Sequence, residues 1–325
     1  FKLFLYTLAG SLLFLLGIVY LYVTFNTFDI QKLIMLAPNL NCTVQILLWL
    51  AFFISFAIKV PMFPFHTWLP DAHVQSPTSG SVILAGILIK MGGYGFLRFS
   101  LPMLPEASIY FSNVIVFLSI IAVIYTSFIA FAQDDIKKLV AYSSVAHMGI
   151  VTAGIFSFNE EGVLGAIFQM ISHGFISSAL FFCIGILYSR AKTLKIEKYN
   201  GIASIMPKFS TLFILFSMAA IGLPGTSGFI GEFLSILGIF KSVKFTAGFI
   251  VLGVILSAIY MLNLCKQTVW GIASTNVKYN DVNRMELLIL VVFAILIVLF
   301  GFYPMSVLNC LKPCVGSLLV KYTAL

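Results

Sequence analysis

The chain has 325 residues, of which 61% are hydrophobic and only 9% are charged, 19 Lys and Arg against 11 Asp and Glu. A soluble domain carries roughly 25% charged residues, so this composition excludes a water-soluble globular protein, a disordered chain and a nucleic-acid binder. The net charge of +8 is scattered singly and makes no basic patch.

A helix needs roughly 20 mostly apolar residues to cross a bilayer. In chain order the apolar runs predict nine such spans: 3–25, 44–75 (long and interrupted), 78–100, 108–132, 138–157, 162–189, 209–241 (interrupted), 246–270 and 285–303. A short amphipathic tail, 306–322, follows Pro304 and is expected to lie at the interface. The expected fold class is therefore all-α, a polytopic membrane protein forming a single transmembrane domain over 1–325. The longest polar stretch, Ser189 to Lys208, is only a connecting loop. Inner loops of membrane proteins are enriched in Lys and Arg. Nine crossings put Lys2, Lys137, Lys138, Arg190, Lys192, Lys195, Lys198, Lys208, Lys266, Lys278 and Arg284 on one side. Lys32, Arg98, Lys241, Lys244, Lys312 and Lys321 fall on the other. This bias predicts the N-terminus inside and the C-terminus outside.

Two spans are interrupted by helix breakers. Pro61 and Pro64 follow Lys59 in the second, and Pro224 and Gly225 divide the seventh. Proline removes a backbone donor and clashes with the preceding turn. Lipid cannot satisfy the freed groups, so such breaks survive only inside protein or beside a wet cavity. Paired breaks point to a transport site near the midplane.

A charge at the bilayer centre costs at least about 2.5–3.5 kcal/mol, which makes an intramembrane ionisable residue a functional candidate. Lys59 ends the first half of a broken span. Lys90 lies mid-span among Ala85, Gly86, Gly92 and Gly93, small residues that let helices approach and bury it. Glu232 follows the second break and is the one acidic residue deep in a span. His147 and His173 sit mid-span, with Gln169 and Ser177 one turn either side of His173. Histidine titrates near neutrality and suits proton relay; in this company, relay outweighs the bland reading of a histidine satisfied by a carbonyl. His66, Asp71 and His73 match no zinc spacing, and the five cysteines form no CxxC and suit no iron–sulfur cluster. No metal or cofactor site is expected in this chain.

Three longer motifs carry a family resemblance: Lys59-Val-Pro-Met-Phe-Pro-Phe-His66-Thr-Trp-Leu-Pro-Asp71-Ala-His73, Phe131-Ala-Gln-Asp-Asp-Ile-Lys137-Lys-Leu-Val-Ala-Tyr-Ser-Ser-Val-Ala-His147-Met-Gly149, and Gly222-Leu-Pro-Gly-Thr-Ser-Gly-Phe-Ile-Gly-Glu232-Phe. They resemble the antiporter-like subunits of respiratory complex I, and the match runs from the second span to about Pro304. Within that family the chain is most similar to the branch with glutamate, not lysine, at the place of Glu232. The resemblance implies a proton-translocating membrane subunit built from inverted five-helix repeats. Residues 1–100 would be the remainder of the first repeat, 108–270 the second, and 285–303 a last span. Lys59 would be the central pumping lysine, partnered by a glutamate on a neighbouring helix. Lys90 and His147 would carry the connecting path, with His173 nearby, and Glu232 would end the outward half-channel.

The resemblance also implies partners: other membrane-arm subunits, especially neighbouring antiporter-like ones, and lipids, in the mitochondrial inner membrane or a bacterial plasma membrane. NADH, FMN, iron–sulfur clusters and ubiquinone would belong to other subunits. A family member has about fourteen spans, so the helix expected to carry the glutamate partner of Lys59 is missing from this sequence. Either a companion chain supplies it or the sequence is a fragment, and both stay open. The competing functions are a sodium/proton antiporter subunit, against which Glu232 argues, and a structural subunit that has lost pumping, against which the intact set of Lys59, Lys90, His147 and Glu232 argues.

Overall fold

The computed structural model describes residues 1–271 and 279–323, so Lys278, assigned above to the inner side, lies outside the described residues. The described elements are helical, and the one extended pairing among them is an isolated bridge between Asp135 and Lys195. The principal helices are α1 (Lys2–Phe25), α2 (Ile30–Leu36), α3 (Cys42–Lys59), α4 (Trp68–Gln75), α5 (Thr78–Met103), α6 (Pro105–Phe131), α7 (Ile136–Ile155), α8 (Glu160–Ala191), α9 (Pro207–Ile221), α10 (Ser227–Ser242), α11 (Lys244–Thr268), α12 (Arg284–Phe302) and α13 (Met305–Thr323).

Seven of these, α1, α3, α5, α6, α8, α11 and α12, are long and apolar enough to cross a membrane. Nine crossings were expected, and the difference has a local cause. Helix α7 is 20 residues long but carries Lys137, Lys138, Ser143, Ser144 and His147. Helices α9 and α10, at 15 and 16 residues, are each too short to cross alone.

Side chains cap the helices where the sequence offers them. The Asp135 carboxylate accepts from the amides of Lys137 and Lys138, Asn159 accepts from Gly162, and Asn283 and Glu286 form a reciprocal capping box. Loops rich in cations meet at one end of the bundle. There Ile136 N–H donates to Leu194 O, Lys208 N–H to Asp281, and Lys137 Nζ to Ser76 O. At the opposite end Lys321 Nζ on α13 donates to Ile34 O and Pro102 O. Burial draws the Lys321 ammonium below its ordinary range.

Helix α8 is the axis of the fold. Of its most apolar stretch 78% is buried, against 17% for α1 and α12, whose apolar faces point outward. It packs on α5, α7, α9, α10, α12 and α13. The α8–α10 contact is the tightest because glycines face it. A Cβ on Gly165, Gly231 or Gly238 would strike the backbone of Ser235, Gln169 or Gly162 respectively. Two aromatic-rich cores flank this axis. One gathers Phe181, Phe209, Phe213 and Tyr260. The other gathers Trp49, Phe52, Phe56 and Phe96.

Candidate functional site

The interior residues Lys90, His147, His173 and Glu232 come from α5, α7, α8 and α10 respectively. Helix α5 is not a regular α-helix: Leu84–Leu88 is a π-turn, with Ile89 N–H bonded back to Leu84 O at 3.3 Å. Such turns redirect carbonyls and recur at functional positions. Here Ala85 O accepts from the Lys90 ammonium and, at 3.4 Å, from the Ser177 hydroxyl of α8. The Lys90 stem borders the outer surface while its ammonium turns inward, with Nζ 2.7 Å from His173 Nδ1. The space for this comes from Gly86 and Gly174, which bring α5 and α8 together.

From His173 the row continues. Its ring lies 5.4 Å, centroid to centroid, from that of His147 on α7, with the planes tilted by 52°. His147 Nδ1 is 2.8 Å from Glu232 Oε1 on α10. That N–H is not aimed at the oxygen, so the contact is an ion-pair approach and not a formed hydrogen bond. Gln169 Nε2 donates to the same Oε1 at 3.0 Å. The other carboxylate oxygen faces Gly222, whose φ of 83° ends α9 in a left-handed turn. His147, His173, Gln169 and Glu232 are all under 6% exposed. They line an internal cavity of about 10 Å³ with Ser143, Ser144 and Ser177, room for about one water molecule.

Four of the five expected site residues thus form one row, Lys90, His173, His147 and Glu232. The resemblance set His173 beside the path; the structure puts it in line, between Lys90 and His147. Lys59 stands apart. It occupies the last turn of α3, half-buried, with no hydrogen bond or ion pair among the described residues. The chain then turns through Pro61, at φ 24°, and Pro64 before α4 begins at Trp68. Pro224 and Gly225 lie in the corresponding turn between α9 and α10, with Gly225 at φ 92°.

Sequence reading missed the π-turn that aims Ala85 O, because no residue pattern marks it. It also missed that Gly222 leaves room for the carboxylate. Among the described residues no three His, Cys, Asp or Glu side chains converge as a metal site. What the row can do chemically is move a proton: it has a cation at one end, two imidazoles in the middle and a carboxylate at the other.

Comparison with known proteins follows the same lines. A family model described as NADH:quinone oxidoreductase/Mrp antiporter, TM, matches residues 1–260. The chain is 53% identical over 323 residues to NADH-quinone oxidoreductase subunit M of Rickettsia prowazekii, covering 99% of this chain and 66% of that protein. It is 51% identical over 320 residues to NADH-ubiquinone oxidoreductase chain 4 of Marchantia polymorpha, covering 98% and 64%. The chain therefore spans slightly less than two thirds of these relatives. Among solved structures, a chain of respiratory complex I from Thermus thermophilus superposes with a TM-score of 0.90 at 33% identity, over 98% of this chain and 68% of that one. A chain of an Mrp complex from a Dietzia species has the same fold, with a TM-score of 0.88 at 17% identity over 98% and 67%.

Proposed function

The chain belongs to the NADH:quinone oxidoreductase/Mrp antiporter membrane family, and from that membership we propose that it is a proton-translocating membrane subunit of respiratory complex I. Its work is to pass protons through the buried row, driven by quinone reduction in other subunits. NADH, FMN, iron–sulfur clusters and ubiquinone belong to those subunits. The partners are the neighbouring antiporter-like subunits of the membrane arm. The location is the mitochondrial inner membrane or a bacterial plasma membrane. In this reading α3 with α4, and α9 with α10, each make one interrupted crossing. With α7 they bring the crossings to nine. Residues 1–100 are the remainder of one five-helix repeat and 108–270 the second.

The observation that carries the reading is the unbroken order Lys90, His173, His147, Glu232. The Lys90 ammonium gives a proton to His173 Nδ1, and the ring releases one from its other nitrogen to His147. His147 then delivers a proton from Nδ1 to Glu232. Each imidazole takes and gives one proton, so no charge is stranded. The carboxylate attracts the proton and Gln169 fixes its orientation. Lys59 supplies the row from the end of α3. A stand-alone structural role does not explain a cation, two histidines and a carboxylate in contact within a membrane interior, where each is costly.

The test is Glu232→Gln in the assembled complex. The amide keeps the shape and the contact with Gln169 but cannot take a proton. Proton pumping coupled to NADH oxidation should fall by about tenfold or more with assembly unchanged. Pumping at the unmutated rate in a fully assembled enzyme overturns the reading.

A further inference from the structure

Of the buried titratable side chains outside the row, one histidine stands closest to its start. His73, on α4, is completely buried, yet neither ring nitrogen has a hydrogen-bond partner. Its ring stacks on Phe181 of α8, with centroids 4.2 Å apart and planes within 7°. The backbone around it is strongly polar: His73 O accepts from Lys137 Nζ at 3.2 Å and from the Ser81 hydroxyl at 3.3 Å, and the same ammonium donates to Ser76 O at 2.8 Å.

The location matters more than the burial. Lys137 follows the Asp134–Asp135 loop at the cation-rich end of the bundle, and Asp71 and Gln75, on the same helix as His73, are exposed there. Inward, Phe181 is two turns of α8 from His173, about 12 Å along the axis. Ser177 lies between them; its hydroxyl donates to His173 O at 2.5 Å and reaches Ala85 O, the carbonyl that also holds Lys90. His73 therefore lies between the polar end of the molecule and the start of the row. The charged and titratable groups around it are Lys137 from α7, Lys90 from α5 and His173 from α8; Asp71, two residues earlier on α4, is paired with Lys2 of α1.

Resting on the function proposed above, we propose that His73 is the relay through which protons enter from the Lys137 end to reach Lys90 and His173. Buried polar atoms without protein partners are normally satisfied by water, and a short water file past Ser177 would join the two histidines. The imidazole takes a proton at one nitrogen and releases one from the other, so the step needs no co-reactant. A purely structural role accounts for the stacking on Phe181 but not for placing two unpaired nitrogens at this position.

The experiment compares His73→Phe, which keeps a ring against Phe181, and His73→Gln, which keeps hydrogen-bonding atoms but cannot relay by titration. Both are measured in membranes holding the assembled complex, beside Glu232→Gln. The readout is pumping rate against inner-side pH. An entry relay matters most where protons are scarce. Both variants should pump about threefold or more slowly at an inner pH of about 8 and approach the unmutated rate near about pH 6. A profile parallel to the unmutated one, or failure of both variants to assemble, makes His73 a packing residue and overturns the proposal. If the His73 variants give such a result while Glu232→Gln abolishes pumping, the function stands and only the entry role of His73 falls. If Glu232→Gln pumps normally, the function itself fails.

Discussion

The two turns, between α3 and α4 and between α9 and α10, solve one backbone problem and end differently. In the first, Val60 N–H bonds Phe56 O, Met62 N–H bonds Ala57 O, and the Trp68 indole donates to Ile58 O at 3.0 Å. In the second, Gly222 N–H bonds Ala219 O, Leu223 N–H bonds Met218 O, and Thr226 N–H bonds Leu223 O. Both turns thus pair freed backbone groups within the protein, as a bilayer demands. The second delivers Glu232 to His147 and Gln169, whereas the first delivers Lys59 to no described partner. Each turn thus lies within a few residues of an ionisable side chain. What that residue does depends on the helix opposite, and α8 stands opposite the second break.

The comparison breaks most severely where α10 meets α8. Gly231 precedes Glu232 and its missing side chain is what lets Gln169 reach the carboxylate. Gly231→Leu should push the helices apart and cost about 1–3 kcal/mol or more, since the added side chain would strike Gln169 from its backbone Cα to its amide oxygen. Immunodetection of the assembled complex should show it strongly depleted. Normal assembly with normal pumping would mean the α8–α10 contact does not set the geometry of the second break.

Next in size is the contrast between the two lysines. Lys90→Met takes the partner from His173 Nδ1 and leaves Ala85 O with the Ser177 hydroxyl alone, at a cost of about 1–3 kcal/mol. Lys59→Met removes no contact among the described residues and should change stability by no more than about 0.5 kcal/mol. Both should lose coupled pumping. Thermal unfolding of the purified complex and proton pumping, measured together, separate the two. Equal destabilisation by the two substitutions would show that Lys59 has a structural partner after all.

What could be read from sequence follows the same division. Apolar run length located α1, α6, α8, α11 and α12 to within a few residues, because lipid imposes a minimum apolar length on every crossing. Lys90, His147, His173 and Glu232 stood out because a charge or imidazole in such a run has no cheap explanation. Their order was not legible. It depends on the tilt of α7 against α8 and on the π-turn before Lys90, both set by packing between distant segments. His73 was weighed only as a metal ligand, since spacing along the chain says nothing about a ring stacked on Phe181, more than 100 residues away.

The smallest effect concerns how each break is anchored at the cation-rich end. Helix α9 is held there through Asp281, which accepts from the amides of Lys208 and Phe209; Arg190 of α8 braces that segment by donating to Asp281 O and gripping Glu286 of α12 in a two-pronged pair, 15% and 20% exposed, at 2.7 and 3.2 Å. Helix α4 is held by Lys2, which donates to Thr67 O and to Asp71 at 2.7 Å, the pair being 44% and 52% exposed. An exposed pair is screened by solvent and salt and contributes about 0–1 kcal/mol. Arg190→Ala leaves Glu286 half-buried without its cation and should destabilise more, by about 1–3 kcal/mol. Lys2→Ala should therefore lower the thermal midpoint of the complex less than Arg190→Ala does, and raising salt from about 0.05 to 0.5 M should erase most of the Lys2 effect but little of the Arg190 one. A larger, salt-insensitive loss for Lys2→Ala would place the tighter anchor at the first break and reverse the contrast.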